Sequence, residues 1–285
     1  MKAPSMVLED ALRAHVFSLA GELGERHPGQ HQSLEKARDY VVGRLRAYGW
    51  EPELQEYRAG GMNCQNIWCE RGEGPAGIIV GAHYDTVPGT PGADDNASGV
   101  AALLELARLL RSKALNGRIA FAAFSTEEPP YFATPEMGSS VCAKGLKSKF
   151  DGMICLEMLG CYKTQPGSQS YPPLLKYFFR DRADFISLVS DLSSRAFLGR
   201  VHAALKPRLD IPLEKASLPS WVRGVDFSDH RSFSARGIPA VMLTDTAFYR
   251  NKNYHQPSDR PETLDYRTMA SLTESLASAL EELLR

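Results

Sequence analysis

The chain has 285 residues, a formal net charge of −1 at pH 7 and a hydrophobic fraction of 43%. This length suits one large α/β domain with its own core. The near-neutral charge gives no electrostatic reason to expect nucleic acid or an anionic membrane as a partner, and no apolar run approaches the length of a membrane span. Five cysteines without zinc-finger spacing, and acidic residues where a secretory signal would be apolar, predict a reduced, cytoplasmic protein.

The predicted elements form one succession of helices and strands, which we interpret as a single domain over residues 1–285. Amphipathic helices are expected at 6–23 and 33–48, followed by strands near 53–57, 66–70 and 78–82. A leucine-rich helix is expected at 97–111, strands at 118–124, 152–156 and 240–244, and a last helix at 263–284. Residues 163–173 and 207–224 are predicted to be longer loops.

Polar residues follow the apolar run at 77–80, which predicts a buried strand of an α/β sheet. His83 and Asp85 come at its end, two residues apart and therefore on one side of the chain. The carboxyl end of such a strand is where ligand sites collect. Asp94 and Asp95 follow between glycines. Taken alone, this stretch is explained equally well as a polar loop with a turn.

Three later segments repeat the pattern of a strand followed by titratable side chains. Glu127 and Glu128 follow the strand at 118–124, Glu157 ends the strand at 152–156 within an apolar segment, and His255 comes after the strand at 240–244. Buried carboxylates are costly unless a cation receives them. A mixed set of imidazole and carboxylate ligands suits zinc.

These segments resemble the co-catalytic zinc aminopeptidase family, which includes bacterial leucyl aminopeptidases, plasma-type glutamate carboxypeptidases and animal glutaminyl cyclases. The matching motifs are His-x-Asp at 83–85, Asp-Asp-Asn at 94–96, Glu-Glu at 127–128, an acid at 157 and a late histidine at 255. The resemblance extends from about residue 39 to the C-terminus. It implies a three-layer α/β/α sandwich with a central mixed, mostly parallel sheet, and it makes the loops at 163–173 and 207–224 the walls of the substrate cleft.

The resemblance also implies two zinc ions, or one, and their ligands. The ligands are His83, Asp94, Glu128, Glu157 and His255. Asp94 would be shared by both metals, because a bridging carboxylate holds two cations close enough to activate one water. Glu127 would be the general base, and Asp85 would orient His83. The family pattern further implies a cis peptide between Asp94 and Asp95.

The function implied is the hydrolysis of peptide bonds, with release of N-terminal residues from short peptides. Glu157 stands where many aminopeptidases have aspartate, so a carboxypeptidase or an N-acyl amino acid hydrolase is an alternative. A glutaminyl-cyclase-like acyltransferase at a single zinc is another, disfavoured because Tyr254 replaces a tryptophan and His83 is retained. A binding module without activity is disfavoured because no ligand position is lost. The sequence does not indicate an oligomeric state.

The remaining polar and aromatic residues give weaker signals. His15, His27, His31 and His202 are interpreted as surface or core histidines without carboxylate partners. His230, which follows Asp229, is expected to support the site rather than bind metal. Trp221 and Tyr249 are equally well explained as pocket walls or as ordinary packing. Four arginines are interpreted as solvated rather than as partners of a substrate carboxylate: Arg180, Arg182, Arg223 and Arg250.

Overall fold

A mixed sheet of eight strands runs through the described part of the chain, in the order β1-β2-β4-β3-β5-β8-β6-β7. The computed structural model describes residues 6–74, 77–173 and 175–285. The strands are β1 Glu53–Ala59, β2 Met62–Arg71, β3 Gly77–His83, β4 Arg118–Phe124, β5 Gly152–Glu157, β6 Ile186–Ser190, β7 Leu213–Ser217 and β8 Ala240–Thr244. The central strands β4, β3, β5 and β8 are parallel. β2 and β6 pair antiparallel to β4 and β8, so the predicted mixed sheet is confirmed.

Helices cover both faces of this sheet. They are α1 Met6–Val16, which continues as a wider turn through Phe17–Leu23, α2 His31–Ala47, α3 Gly99–Leu110, α4 Gly138–Gly145, α5 Arg195–Leu205, α6 His230–Ser234 and α7 Tyr266–Leu283. Alternate residues of β3 serve the two faces, as the twofold repeat of a strand requires. Ile78 and Val80 belong to the core beneath α1, α2, α3, α5 and α7, whereas Ile79 belongs to the core beneath α4 and α6. The predicted three-layer sandwich is therefore confirmed.

The prediction of a continuous loop at 207–224 is wrong, because β7 lies within it. β7 reads Leu-Glu-Lys-Ala-Ser, and its charged residues give it little intrinsic preference for a strand. It forms by pairing in parallel with β6, its one neighbour in the sheet. The sequence also did not predict β6, α4, α5 or α6. By contrast, 163–173 contains no helix or strand, as expected.

This arrangement positions two functional features. The carboxyl ends of β3, β4, β5 and β8 meet at one edge of the sheet because these strands are parallel. α4 and α6 cover one face of the sheet only in part. At the β6–β7 end of that face, loops take the place of helices. No helix in the described ranges has both the length and the apolar composition needed to span a bilayer.

Candidate metal centre

Two histidines and three carboxylates converge at the ends of the central strands. Nε2 of His83, the last residue of β3, lies 3.3 Å from Asp95 Oδ1 and 3.4 Å from Glu157 Oε2. Nε2 of His255 lies 3.1 Å from Asp95 Oδ2 and 3.3 Å from Glu128 Oε2. One oxygen of Asp95 therefore faces each histidine. The geometry is that of two adjacent ligand groups with Asp95 in common.

Asp94, expected to be the shared ligand, faces away from both histidines. Its Oδ1 accepts a hydrogen bond from the Gly160 amide at 2.8 Å, and its Oδ2 accepts one from Asn251 Nδ2 at 2.6 Å. The expected position is thus wrong by one residue. The cis peptide is displaced in the same way, since it joins Asp95 to Asn96 rather than Asp94 to Asp95. The turn is not helical at Asp95 and Asn96, so helical periodicity does not tell which acid points inward.

Asp85 fixes the loop that carries the two adjacent glutamates. Its carboxylate oxygens accept hydrogen bonds from the backbone amides of Glu127 and Glu128, both at 3.1 Å. Its Oδ1 also lies 3.4 Å from Nδ1 of His83. Glu127 Oε2 lies 3.9 Å from His83 Nε2, at the border of the cluster. Asp85 thus contacts the predicted ligand His83 and also holds the backbone of both glutamates.

Ser228 is a site residue whose contact the sequence analysis missed. Its hydroxyl donates to Glu157 Oε2 at 2.6 Å. The signal was present, since Ser228 opens the Ser-Asp-His motif at 228–230. Asp229 is fully buried, and neither of its oxygens has a hydrogen-bond partner among the described residues. His230 lies outside the cluster, with Nε2 at 2.7 Å from the carbonyl oxygen of Val225.

Burial and crowding shift the pKa values of the cluster strongly. Burial raises the pKa of Glu127 well above its usual range, and burial together with the charge of Asp95 raises that of Glu128 to about 8. Burial alone would lower the pKa of His255, but the neighbouring carboxylates of Asp95 and Glu128 raise it to about 10. Carboxylates outnumber imidazoles here, which leaves excess negative charge in a buried site.

The donor set fits divalent metal ions. His255 Nε2 and Glu128 Oε1 are buried and have no hydrogen-bond partner among the described residues, although carboxylate oxygens surround the histidine. A cation between these groups would balance their charge and satisfy both atoms. Imidazole nitrogen combined with carboxylate oxygen is the ligand chemistry of zinc sites that keep an open position for water.

An apolar pocket opens beside this cluster. Glu157 and Tyr254 belong to its lining, so it is continuous with the metal-ligand cluster. Its walls come from β6, β7, β8 and the loops that cover them. Several are aromatic: Tyr171, Phe179, Phe185, Phe227, Phe248 and Tyr249. Of the two undecided aromatic residues, Tyr249 lines the pocket, whereas Trp221 is 83% exposed.

Tyr254 connects the pocket to the cluster. Its ring stacks on that of His255, with centroids 3.7 Å apart and planes 20° apart. It also contacts Phe248 on the pocket side. Burial, followed by the charges of Asp95 and Glu128, raises the pKa of the phenol. The hydroxyl is therefore protonated at neutral pH and able to donate a hydrogen bond.

Some interpretations of isolated residues are corrected. His15 is buried with Nε2 at 3.2 Å from Glu105 Oε1, so it does have a carboxylate partner. His27 and His31 also lie near glutamates, at 3.2 and 3.6 Å. Arg250 is buried rather than solvated and donates to the carbonyl oxygen of Phe185 at 2.8 Å. Arg223 lies over the Phe248 ring and lines the pocket.

The α/β/α sandwich and the paired histidine–carboxylate groups at its strand ends define the class of metal-dependent hydrolases. The sequence profile of peptidase family M28 matches residues 66–280. The chain belongs to this family, which confirms the metallopeptidase expected from the sequence.

Similar proteins agree with this assignment. The chain is 40% identical over 288 residues to the uncharacterized protein YfbL of Escherichia coli, covering 97% of this chain and 89% of that protein. Several other relatives, among them leucine aminopeptidases, are longer, and the chain spans about half their length. Its fold is similar to that of BSAP, a zinc aminopeptidase from Bacillus subtilis, with a TM-score of 0.78, 15% identity, and coverage of 100% of this chain and 97% of that one. It is also similar to a Fimbriiglobus ruber glutaminyl cyclase, with a TM-score of 0.69, 19% identity, and coverage of 96% and 94%.

Proposed function

We propose that this protein is a zinc aminopeptidase that releases N-terminal residues from short peptides. The observation that carries the proposal is the position of Asp95 between two histidine–carboxylate groups. One zinc would be held by His83, Asp95 and Glu157, and the other by Asp95, Glu128 and His255. When bound, the metals supply a water of lowered pKa and polarise the scissile carbonyl.

Glu127 is the residue proposed to move protons. It lies beside His83 but is not needed to complete either ligand group, and Asp85 fixes its backbone. A carboxylate in this place takes a proton from the attacking water and delivers it to the leaving amine. One residue therefore serves both proton transfers.

The pocket and Tyr254 orient the substrate. The apolar pocket receives the side chain next to the scissile bond, and its aromatic walls favour leucine-like or aromatic residues. Tyr254 stands between the pocket and the cluster, so its neutral hydroxyl is placed to donate to the carbonyl oxygen as negative charge develops there.

One observation favours a second candidate, a carboxypeptidase or N-acyl amino acid hydrolase. Lys215 and Arg223 both line the pocket, and either cation suits a substrate carboxylate. A glutaminyl cyclase with a single zinc is less well supported, because two complete ligand groups are present.

The test combines metal analysis with a substrate panel. The purified protein, before and after removal of metal, is assayed against aminoacyl anilides, N-blocked peptides, N-acyl amino acids and N-terminal glutaminyl peptides. We expect up to two zinc ions per chain and zinc-dependent cleavage of aminoacyl substrates with a free amine. Cleavage confined to N-acyl amino acids would establish the second candidate, and cyclisation without hydrolysis would establish the cyclase.

We further propose a cytoplasmic location, supported by five buried cysteines that are all free thiols. Reduced thiols persist in a compartment that keeps glutathione reduced. Fractionation of the native cell tests this, and recovery with secreted or envelope proteins would contradict it.

A further inference from the structure

Arg26 is a fully buried arginine that precedes α2 and lies behind the turn that carries Asp95. Its side-chain nitrogens lie 2.7–3.0 Å from five backbone carbonyl oxygens, with the two N–H groups of Nη1 shared among three of them; the five belong to Leu19, Gly24, Tyr84, Pro91 and Gly92. Three of these carbonyls belong to the stretch from 84 to 92, which leads from His83 to Asp95. The guanidinium therefore ties the N-terminal segment to both ends of this stretch.

The surroundings of Arg26 keep it charged despite its burial. Burial lowers the pKa of the guanidinium to about 10, and the charges of Asp85 and Asp259 oppose that effect. The group therefore remains a cation at neutral pH. Its five donors in a fixed planar fork match the several carbonyls around it, an arrangement that a lysine ammonium with three donors does not reproduce.

Asp259 holds the same turn from the opposite side. It is fully buried, and its carboxylate accepts hydrogen bonds from the backbone amides of Asp94 at 3.0 Å and Asp95 at 3.1 Å. Asp259 belongs to the loop that also carries His255, and its own amide donates to the carbonyl oxygen of Gln256 at 3.0 Å. Asp259 thus links the turn that carries Asp95 to the loop that carries His255.

Gly92 shows how closely the turn packs against the guanidinium. Its φ is 61°, a conformation that favours glycine. A Cβ atom at this position would lie 2.3 Å from the Asp95 carbonyl oxygen and 3.2 Å from Arg26 Nη2. Only a residue without a side chain lets the turn lie against Arg26 in this way.

We propose that Arg26 and Asp259 form a clamp that positions the turn at 92–95, so that Asp95 rather than Asp94 faces both histidines. Both are positioning residues, since neither belongs to the ligand cluster. The inference rests on the proposed function for its metal, but the clamp itself is a property of the polypeptide. It makes the N-terminal segment part of the assembly of the site.

The test compares Arg26→Lys and Asp259→Asn with Arg250→Lys in the full chain. Arg250 is a matched control because it is also buried and donates to backbone carbonyl oxygens. These carbonyls belong to Cys161, Ala183 and Phe185, none of which is a residue of the metal-ligand cluster. Three quantities are measured: zinc affinity by competition with a chelator, amide hydrogen exchange over 92–98 in the metal-free protein, and the thermal midpoint.

We expect Arg26→Lys and Asp259→Asn to weaken zinc binding about 10- to 100-fold, the usual effect of losing a group that orients a ligand. Amides of 92–98 should exchange faster in both variants without metal. Arg250→Lys should lower the thermal midpoint while leaving zinc affinity and this exchange unchanged. If the two clamp variants resemble Arg250→Lys in all three measurements, the clamp is refuted.

The outcomes separate this inference from the proposed function. Wild-type protein that binds zinc but cleaves no peptide would refute the function, while the zinc affinities still decide the clamp. Wild-type protein that binds no zinc would refute the metal proposal, while exchange in the metal-free chain still decides the clamp. If Arg26→Lys does not fold, Asp259→Asn alone decides it, because that change keeps one acceptor for the two amides.

Discussion

The metal-ligand cluster and the apolar pocket lie side by side but are built differently. Hydrogen bonds from backbone amides to buried carboxylates hold the cluster at the carboxyl ends of four parallel strands, as Asp85 does by accepting from the amides of Glu127 and Glu128. The pocket is formed by β6, the edge strand β7 and the loops that cover them, and several of its lining residues are aromatic. Reaction chemistry needs fixed charges, whereas selection of a side chain needs only volume and apolar surface. The two regions therefore separate the type of reaction from the choice of substrate.

Neutralising Asp95 should break the cluster more completely than any other single change. Asp95→Asn removes the carboxylate that faces both histidines, so we expect loss of zinc from both sites and loss of hydrolysis. Asp94→Asn should keep zinc, since the carboxylate of Asp94 faces Gly160 and Asn251 instead. We expect Asp94→Asn to lower the free energy of unfolding by about 1–3 kcal/mol, because it disturbs a buried hydrogen bond. Zinc content by mass spectrometry and chemical unfolding distinguish the pair.

Equal loss of zinc in Asp95→Asn and Asp94→Asn would contradict the geometry. It would mean that the turn adopts another register when metal binds. The unfolding data provide the control, since an Asp94→Asn protein that has lost its fold would lose zinc for a different reason.

The same comparison explains what the sequence predicts. His83 and Glu157 end strands with strong apolar patterns, so their meeting at one sheet edge follows from the parallel order. Which of Asp94 and Asp95 faces the histidines does not follow from the strand pattern. It depends on Asp259, which lies 164 residues beyond Asp95 in the chain. The pocket was the least predictable part. β7 is a short charged strand that exists through its pairing with β6, and local propensity carries little information about such an edge.

Glu127→Gln separates proton transfer from metal binding. We expect zinc content to stay near that of the wild type, because Glu127 is not needed to complete either ligand group. Turnover should fall about 10²–10⁴-fold, the usual contribution of a positioned acid–base group. Glu128→Gln is the informative neighbour, since it should lose zinc from the site that contains His255. Near-native turnover in Glu127→Gln would show that another group is the base.

Zinc affinity should rise with pH. In the metal-free protein, Asp95 and Glu128 raise the pKa of His255 to about 10, and the pKa of Glu128 itself is about 8. The two groups together therefore hold at least one proton at neutral pH, and zinc must displace it to bind. Affinity should increase about tenfold per pH unit for each proton released between pH 6 and 8, and should flatten towards pH 10. Calorimetry in buffers of different ionisation enthalpy counts the protons released on zinc binding. A zinc affinity independent of pH over this range would contradict the displacement of protons by zinc.

The smallest expected effect tests the pocket by filling it. Ala216 on β7 lines the pocket, so Ala216→Phe should place a ring in the space proposed for a large substrate side chain. The kcat/KM for phenylalanyl and leucyl substrates should fall on the order of tenfold relative to alanyl substrates, because discrimination by an apolar pocket is modest. Zinc content should not change, since β7 carries none of the proposed zinc ligands. Ala235→Phe is the control, because Ala235 is exposed at the end of α6 and outside the pocket lining. If Ala216→Phe lowers kcat/KM equally for alanyl and phenylalanyl substrates, the pocket does not select the side chain beside the scissile bond. The aromatic residues of its wall would then contribute to packing alone.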